Sequence, residues 1–380
     1  MPGEEVDQCR REFIGVRALE EGLQPEREIE RYRHYAAAVR AIRDRFDAAK
    51  SPAQKFEIMR EMAAAYRGPH RVILNRNPVR RSIGGHVNRL VELSKGELII
   101  TAAGDDISLP ERTQVTYEAW ESSERKATSL HARIFQIDET GKEMEQVFEH
   151  QTDGVSGRFI PQKASPLGYV RTLEPVIFGC AHAFSRKLYT IFGDLPDEVI
   201  HEDNSIGFRS AVAGQFLFIN VPLVKYRVHG NNIYIGARKA STDLRHLQRE
   251  EDRVRGRFRN RETMYRTFLL DLEKARQQQL ISREEFEECS KESTRMRDHV
   301  ALMGKFLQGG FFQKFRLLPE FRKQQLSRQD VRSLVRGLLP CPLLIRLRLV
   351  RAYAGLLWAR ASGAAGRRSA AGPAAAVTKA

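Results

Sequence analysis

The chain has 380 residues, 42% of them hydrophobic and 29% charged, enough to bury one large domain with appendages or two ordinary ones. That balance excludes a collagen, a disulfide scaffold and a wholly disordered protein. The formal charge of +15 sits at one end: residues 301–380 hold 15 Lys and Arg against Glu320 and Asp330, a net of +13, which leaves +2 for the first 300 residues.

Cys9, Cys180, Cys289 and Cys341 have no paired spacing, so neither a zinc knuckle nor a disulfide framework is expected, and a reducing cytoplasm fits. The opening residues are charged and lack the apolar core of a signal peptide, and no run of about 18 uncharged apolar residues follows that could span a bilayer.

Residues 1–55 read as a helical segment of unclear role, with Ile29, Tyr32, Tyr35, Ala36 and Val39 at spacings of three and four. From Arg71 the pattern changes to short apolar runs between turn residues. Val72-Ile73-Leu74 precedes Asn75-Arg76-Asn77-Pro78, Leu98 to Thr101 precedes Gly104-Asp105-Asp106, and Ser129 to Phe135 ends at Asp138-Glu139-Thr140-Gly141. Gly84 to Ser94, with Val87, Leu90 and Val91 on one helical face, lies between the first two runs. Strand, helix, strand at this spacing predicts a βαβ unit and a mostly parallel sheet. Two later strands are predicted at Phe216–Asn220 and Val221–Val228, after a helix at Asn204–Val212. Residues 236–300 return to charged helix, residues 301–360 set Leu and Phe clusters among regularly spaced Arg and Lys, and residues 361–380 are Ala, Gly and Ser with little to bury.

Three segments carry candidate chemistry. Asp105 and Asp106 follow an apolar strand, and adjacent carboxylates at the carboxyl end of a strand can hold a divalent cation against phosphate oxygens. Taken alone, the pair equally suits a turn that uses Asp for local hydrogen bonds. Glu202-Asp203 opens a helix, where acids complement the dipole, and a carboxylate in the same cleft as a metal could instead act as a general base. Tyr226-Arg227-Val228-His229-Gly230-Asn231-Asn232 ends a strand, and its Arg, His and Asn suit a diphosphate.

In this order and spacing the segments resemble the inverting, GT-A-fold glycosyltransferases of family 2. The matching text is Asn75-Arg-Asn-Pro, Ile83-Gly-Gly-His-Val-Asn-Arg89, Leu93 to Ile100, Gly104-Asp-Asp, Gly179-Cys-Ala-His182 to Arg186, Glu202-Asp203 through Arg209, and Tyr226-Arg-Val-His229. The resemblance covers residues 56–235 and implies a Rossmann-like α/β domain there, incomplete at its N-terminus and followed by a helical extension. It implies Mg²⁺ or Mn²⁺ at Asp105 and Asp106, a nucleotide-sugar donor along Asn75, Gly84, Asn88, Arg209 and His229, and Asp203 as the base with Glu202 orienting it. Gly179 to His182 would form the acceptor-side wall.

Two departures accompany the likeness. Ala103 stands where the family carries an earlier Asp. Residues 1–55 lack the strand, turn, helix and strand with which the family opens, which implies an upstream start, a frameshift or a natural remnant, and an unpaired strand edge in the sheet. The basic residues 301–360, with Phe306, Phe311, Phe312, Phe315, Leu317 and Leu318, then Leu334, Leu338, Leu339, Leu343, Leu344, Leu347 and Leu349, are expected to lie on an anionic membrane surface. Nucleic acid is not an expected partner, because the bulky residues there are mostly aliphatic. The expectation is thus a cytoplasmic, membrane-peripheral enzyme that moves a sugar to a lipid-linked or cell-surface glycan precursor. From a different class comes the alternative of a non-catalytic remnant or scaffold on the membrane.

Overall fold

A computed structural model of the chain describes residues 45, 48–68, 71–144, 156–229, 232, 244–321, 331, 334 and 338. Most of the predicted N-terminal helical segment, the tail 361–380, and Leu339, Leu343, Leu344, Leu347 and Leu349 lie outside them. The chain forms two compact units, residues 1–80 and residues 81–380.

In the first unit, α1 (Pro52–Ala65) starts at a reciprocal cap, in which the Ser51 hydroxyl accepts from the Gln54 amide and the Gln54 side chain accepts from the Ser51 amide. Arg45 pairs with Glu61 at 2.7 Å. The Arg76 guanidinium lies over the Phe56 ring. Val72, Ile73 and Leu74 form no strand, and Val72 and Ile73 are exposed.

The second unit holds a six-stranded sheet with helices packed on it. Its elements are α2 (Ile83–Leu93), β1 (Leu98–Ile100), β2 (Ile107–Ser108), α3 (Arg112–Ser122), β3 (Ala127–Ile137), β4 (Phe159–Gln162), α4 (Pro166–Thr172), β5 (His182–Ser185), α5 (Lys187–Phe192), α6 (Glu202–Ala213) and β6 (Gln215–Arg227). Three helices follow, α7 (Leu244–Gln277), α8 (Arg283–Gln308) and α9 (Phe311–Phe321). The strands run β1-β5-β3-β6-β2, with β4 also on β6.

The expected α/β class with a helical extension is therefore observed, with one correction. The sheet is mixed: β3 and β6 run parallel, and every other pairing is antiparallel. The apolar run expected to open a βαβ unit stays outside the sheet, since a short apolar run predicts burial and not a pairing partner. β1 pairs only with β5 among the described strands and ends the sheet.

β3 is buried on both faces, so its polar side chains need partners within the protein. Ser129 Oγ meets His182 Nε2 at 2.6 Å, and His131 Nε2 meets Gln162 Oε1 at 2.6 Å. The two strands predicted at Phe216–Asn220 and Val221–Val228 are one. The register slips between Ile219 and Pro222, so Asn220-Val221-Pro222 is a β-bulge, where a proline gives up no ladder hydrogen bond. The bulge lets β6 take β4 along its first half and β2 along its second.

α7 and α8 form a helical hairpin joined at a second reciprocal cap, Ser282 with Glu285. It packs on α4 and α6 through Tyr169, Phe208, Phe216, Phe268 and Leu272, with the Phe208 and Phe268 rings stacked 4.2 Å apart. Between these apolar residues sits one fully buried ion pair: Arg209 Nε to Asp271 Oδ2 at 2.8 Å.

Candidate functional site

A cavity of about 930 Å³ opens in the second unit. One wall is α2 and β1, a second is the acidic turn after β1, a third is Leu173 to Cys180, and a fourth is Ile200 to Asn204 at the start of α6. Tyr226 and Asn232 close it near the end of β6, and Arg261 and Met264 reach it from α7.

The acidic turn is held by the end of β6. Ile107 and Ser108 pair with Lys225 and Val224, which carries Asp105 and Asp106 back against Arg227. The Arg227 amide donates to Asp106 Oδ1 at 2.8 Å, and its Nε donates to the Asp105 carbonyl at 2.9 Å. The same guanidinium, through Nη1, donates to the carbonyls of Asp138 and Glu139, each at 3.1 Å. One arginine thereby fastens two turns while leaving the Asp105 side chain free of it. Asp105 Oδ2 instead meets His229 Nε2 at 2.9 Å. Burial pushes the Asp106 carboxyl above its usual range, and the neighbouring Asp105 adds to this against the opposing pull of Arg227 and a hydrogen bond with Cys180.

Glu202 and Asp203 form the first turn of α6 and both line the cavity. Asp203 Oδ1 accepts from the Asn204 amide at 2.7 Å and from Asn204 Nδ2 at 3.1 Å, and Asp203 also accepts from the Gly179 amide. Burial raises both carboxyls well above the ordinary range, and the charge of Asp203 raises Glu202 further. The hydrogen bonds favour charge on Asp203, so the proton of the pair resides on Glu202. Gly179 has a steric role here: a Cβ on it would lie 2.7 Å from Glu202 Oε1. Any larger residue there would have to displace the Glu202 carboxylate for the Leu173–Cys180 segment to stay this close.

The cavity thus brings Asp105, Asp106, Glu202 and Asp203 to one space, with His229 bound to the first of them. The other sequence candidates have different places. Arg209 is fully buried; besides Asp271 it donates to the carbonyls of Gly193 and Asp194 and lies against the rings of Tyr189 and Phe192. It joins α6 to α7 and is not among the residues that line the cavity. Asn88 is also buried, with Nδ2 donating to the Leu195 carbonyl and Oδ1 accepting from the Leu195 amide and the Tyr189 hydroxyl. Gly84 donates to the Val199 carbonyl, and a Cβ there would press on Val199 and the Pro196 carbonyl. Between them Gly84, Asn88 and Arg209 hold α2, α5, α6 and α7 together, and none of the three lines the cavity. Asn75 belongs to the first unit, where its amide donates to Asn77 Oδ1 at 2.8 Å.

In the expected acceptor-side wall, Gly179 and Cys180 line the cavity, whereas His182 is fully buried under Ser129. Arg227, which the sequence reading set in a segment suited to a diphosphate, instead spends its guanidinium on the backbone carbonyls of two turns, and the residue that sequence reasoning missed is Arg261, which a helix outside the resembling region delivers to the cavity. For Arg261 the only available signal was the four-residue spacing of Arg253, Arg257 and Arg261.

A divalent cation is implied by the family likeness at Asp105 and Asp106. Two carboxylates are a suitable donor type for Mg²⁺ or Mn²⁺, which commonly take one or two protein carboxylates and fill the shell with phosphate and water. Among the described residues no group of three or more His, Cys, Asp or Glu is disposed to hold a metal by itself.

In the basic extension, Phe306, Leu307, Phe321 and Leu334 form a small core with Leu317, Leu318 and Leu338 packed on it. Phe306 and Leu334 are buried in that core, and Leu317, Leu318 and Leu338 are partly buried against it. Phe312 and Phe315 face outward, 82% and 50% exposed. Among the described residues no helix is long and apolar enough to cross a membrane.

No family model matches the chain. No curated protein matches it in sequence. Among solved structures it is similar to the crystal structure of S. aureus TarS residues 1–349 in complex with UDP-GlcNAc, with 14% identity, 80% of this chain and 79% of that one covered, and a TM-score of 0.43.

Proposed function

We propose that this chain is a GT-A-type glycosyltransferase that moves a sugar from a nucleotide-sugar to an acceptor hydroxyl with inversion, and that the cavity is where it does so. The observation that carries this reading is the pairing, in one cavity, of a carboxylate turn held by Arg227 with a buried carboxylate pair of raised pKa. The order of motifs in the sequence supports it independently.

In this reading Asp105 and Asp106 would hold Mg²⁺ or Mn²⁺, which when bound offsets the negative charge of the donor diphosphate. His229 binds Asp105 before the donor arrives and is positioned to turn toward a phosphate oxygen afterwards. Asp203 takes the proton of the acceptor hydroxyl as that oxygen attacks the anomeric carbon from the face opposite the leaving nucleotide. A base with a pKa raised toward neutrality is both ionised often enough and basic enough for this task. Glu202, protonated, keeps the second negative charge out of the site and can donate to the acceptor. The acceptor is a lipid-linked or cell-surface glycan precursor, and Phe312 and Phe315 with the surrounding cations bring the enzyme to an anionic membrane face.

The test is turnover of a panel of nucleotide-sugars by the purified chain, with Asp203→Asn as the comparison. The substitution keeps the shape and removes the base, so donor consumption in the presence of acceptor is expected to fall at least 100-fold with nucleotide affinity retained. Turnover unchanged in Asp203→Asn overturns the assignment.

A further inference from the structure

Two carboxylate sites share the cavity, and one dipeptide touches both. The Gly179 amide donates to Asp203, and the thiol of the next residue, Cys180, is hydrogen-bonded to Asp106. Gly179 opens a single 3₁₀ turn, Gly179–Ala181. With no side chain of its own it depends on neighbours to fix its backbone, and Thr101 is placed to do so.

β1 and β5 pair in antiparallel register with Ile100 opposite Ala183, which carries Thr101 to His182 at the end of that turn. The Thr101 amide donates to the His182 carbonyl at 3.1 Å. Its hydroxyl lies 2.7 Å from the Gly179 carbonyl and 2.8 Å from the His182 carbonyl, so one hydrogen is shared between the two ends of the turn. On the other side the Thr101 carbonyl accepts from Arg112 Nη2 at 2.5 Å, and Arg112 Nη1 donates to Ser108 Oγ at 2.8 Å. Thr101 and Ser108 bracket the stretch that carries Asp105 and Asp106, and buried Arg112 clamps it from beneath. Thr101 is therefore joined through its carbonyl to the clamp of the acidic turn and through its hydroxyl to the segment that holds Asp203.

The fold does not require that hydroxyl. Without it the Gly179 carbonyl still accepts from the His182 amide, and the His182 carbonyl still accepts from the Thr101 amide. Neither oxygen is stranded, so the large penalty of an unsatisfied buried group does not arise. What the hydroxyl adds is control of distance between the two carboxylate sites. In a group transfer a misplacement of about 1 Å can cost about 100-fold in rate.

We infer that Thr101 is a positioning residue, which locks Gly179-Cys180, and with it Asp203, at a fixed separation from the Asp105–Asp106 turn. Its part in turnover rests on the transferase reading, whereas the lock itself rests on the hydrogen bonds alone.

The test compares the full-length wild type with Thr101→Val and Thr101→Ala, which lose the hydroxyl, and with Thr101→Ser, which keeps it. Four quantities are measured: kcat and KM with the nucleotide-sugar that wild type consumes fastest, UDP affinity with Mn²⁺, melting temperature, and deuterium uptake by mass spectrometry across residues 176–182. Loss of the hydroxyl is expected to lower kcat about tenfold and to speed exchange in 176–182 about threefold. Donor KM and UDP affinity should stay within about twofold, because the bonds that hold the acidic turn to Arg227 are untouched. Thr101→Ser should keep wild-type kcat and exchange. Wild-type kcat in Thr101→Val and Thr101→Ala overturns the role, as does an equal fall in Thr101→Ser or unchanged exchange in 176–182. If wild type consumes no nucleotide-sugar and binds no UDP, the transferase reading fails, and exchange alone decides the lock: faster without the hydroxyl sustains it, unchanged overturns it.

Discussion

At the residue scale, the carboxylate pair is the point on which chemistry turns. Asp203 keeps its charge because the Gly179 amide and both nitrogens of Asn204 point at it, while burial pushes its pKa up. An Asp with an ordinary pKa would be fully ionised by pH 5. Here the acid limb of the rate profile is expected nearer neutrality, so turnover rises with pH through a range where a surface Asp would already be flat. A pH–rate profile checks this, and a limb at pH 4 contradicts it. Gly179→Ala should act on the same pair, since the added methyl lands on Glu202 Oε1. A loss of turnover of tenfold or more with little change in melting temperature is expected, measured by turnover and thermal unfolding together. Buried His182 offers a stability test of opposite character. Burial holds its folded pKa at about 3, against about 6.5 in the unfolded chain. The unfolded state therefore binds the proton more readily: stability is complete above pH 6.5 and is lost as pH falls toward 3. The loss at pH 5 is about 2 kcal/mol. Denaturant melts of wild type and His182→Gln at pH 7 and pH 5 should show a smaller drop in the variant.

At the element scale, α6 carries the pair and α7 holds α6. Removing one partner of a buried ion pair costs about 3 to 5 kcal/mol because the other charge is stranded, and Arg209→Ala should do this at Asp271. Burial already outweighs Arg209 in raising Asp271, so the double change Arg209→Met with Asp271→Leu is expected to recover most of the loss. Thermal unfolding of the three variants tests it, and a double variant as unstable as Arg209→Ala alone contradicts it. The sequence made much of this scale legible. The helical stripe of Val87 and Val91, the alternation from Ser129 to Phe135 and the acids at the head of α6 all led to elements that exist. Where reading stopped, the cause was non-local. Pro222 marks a break in any sequence window, and only the partner strands reveal a bulge. Arg209 and Asn88 are polar residues in the right motifs, and nothing local distinguishes a guanidinium spent on Asp271 from one reserved for a ligand. Asp105, Asp106, Glu202 and Asp203 line one cavity, and their places at a strand end and a helix start were legible because they are set by local position.

At the scale of the whole molecule, the basic extension divides its apolar residues into two sets. Phe306, Phe321 and Leu334 close a small core, and Phe312 and Phe315 remain outside. Replacing both exposed rings with Ser should lower binding to anionic vesicles at least fivefold without changing the melting temperature, as cosedimentation would show. Membrane affinity scales with apolar area inserted as well as with charge, so an unchanged result would leave the cations alone responsible. The α7–α8 hairpin ties the two ends of this arrangement together, because its first helix lends Arg261 and Met264 to the cavity and its second leads into α9.

The most direct test of the central claim is nucleotide binding by the purified full-length chain. UDP, dTDP and GDP would be titrated with and without Mn²⁺, into wild type and Asp105→Ala. The account predicts that at least one nucleoside diphosphate binds, more tightly with Mn²⁺, and that Asp105→Ala removes the metal-dependent part. A well-folded wild-type chain that binds none of the three, with or without the cation, would contradict it.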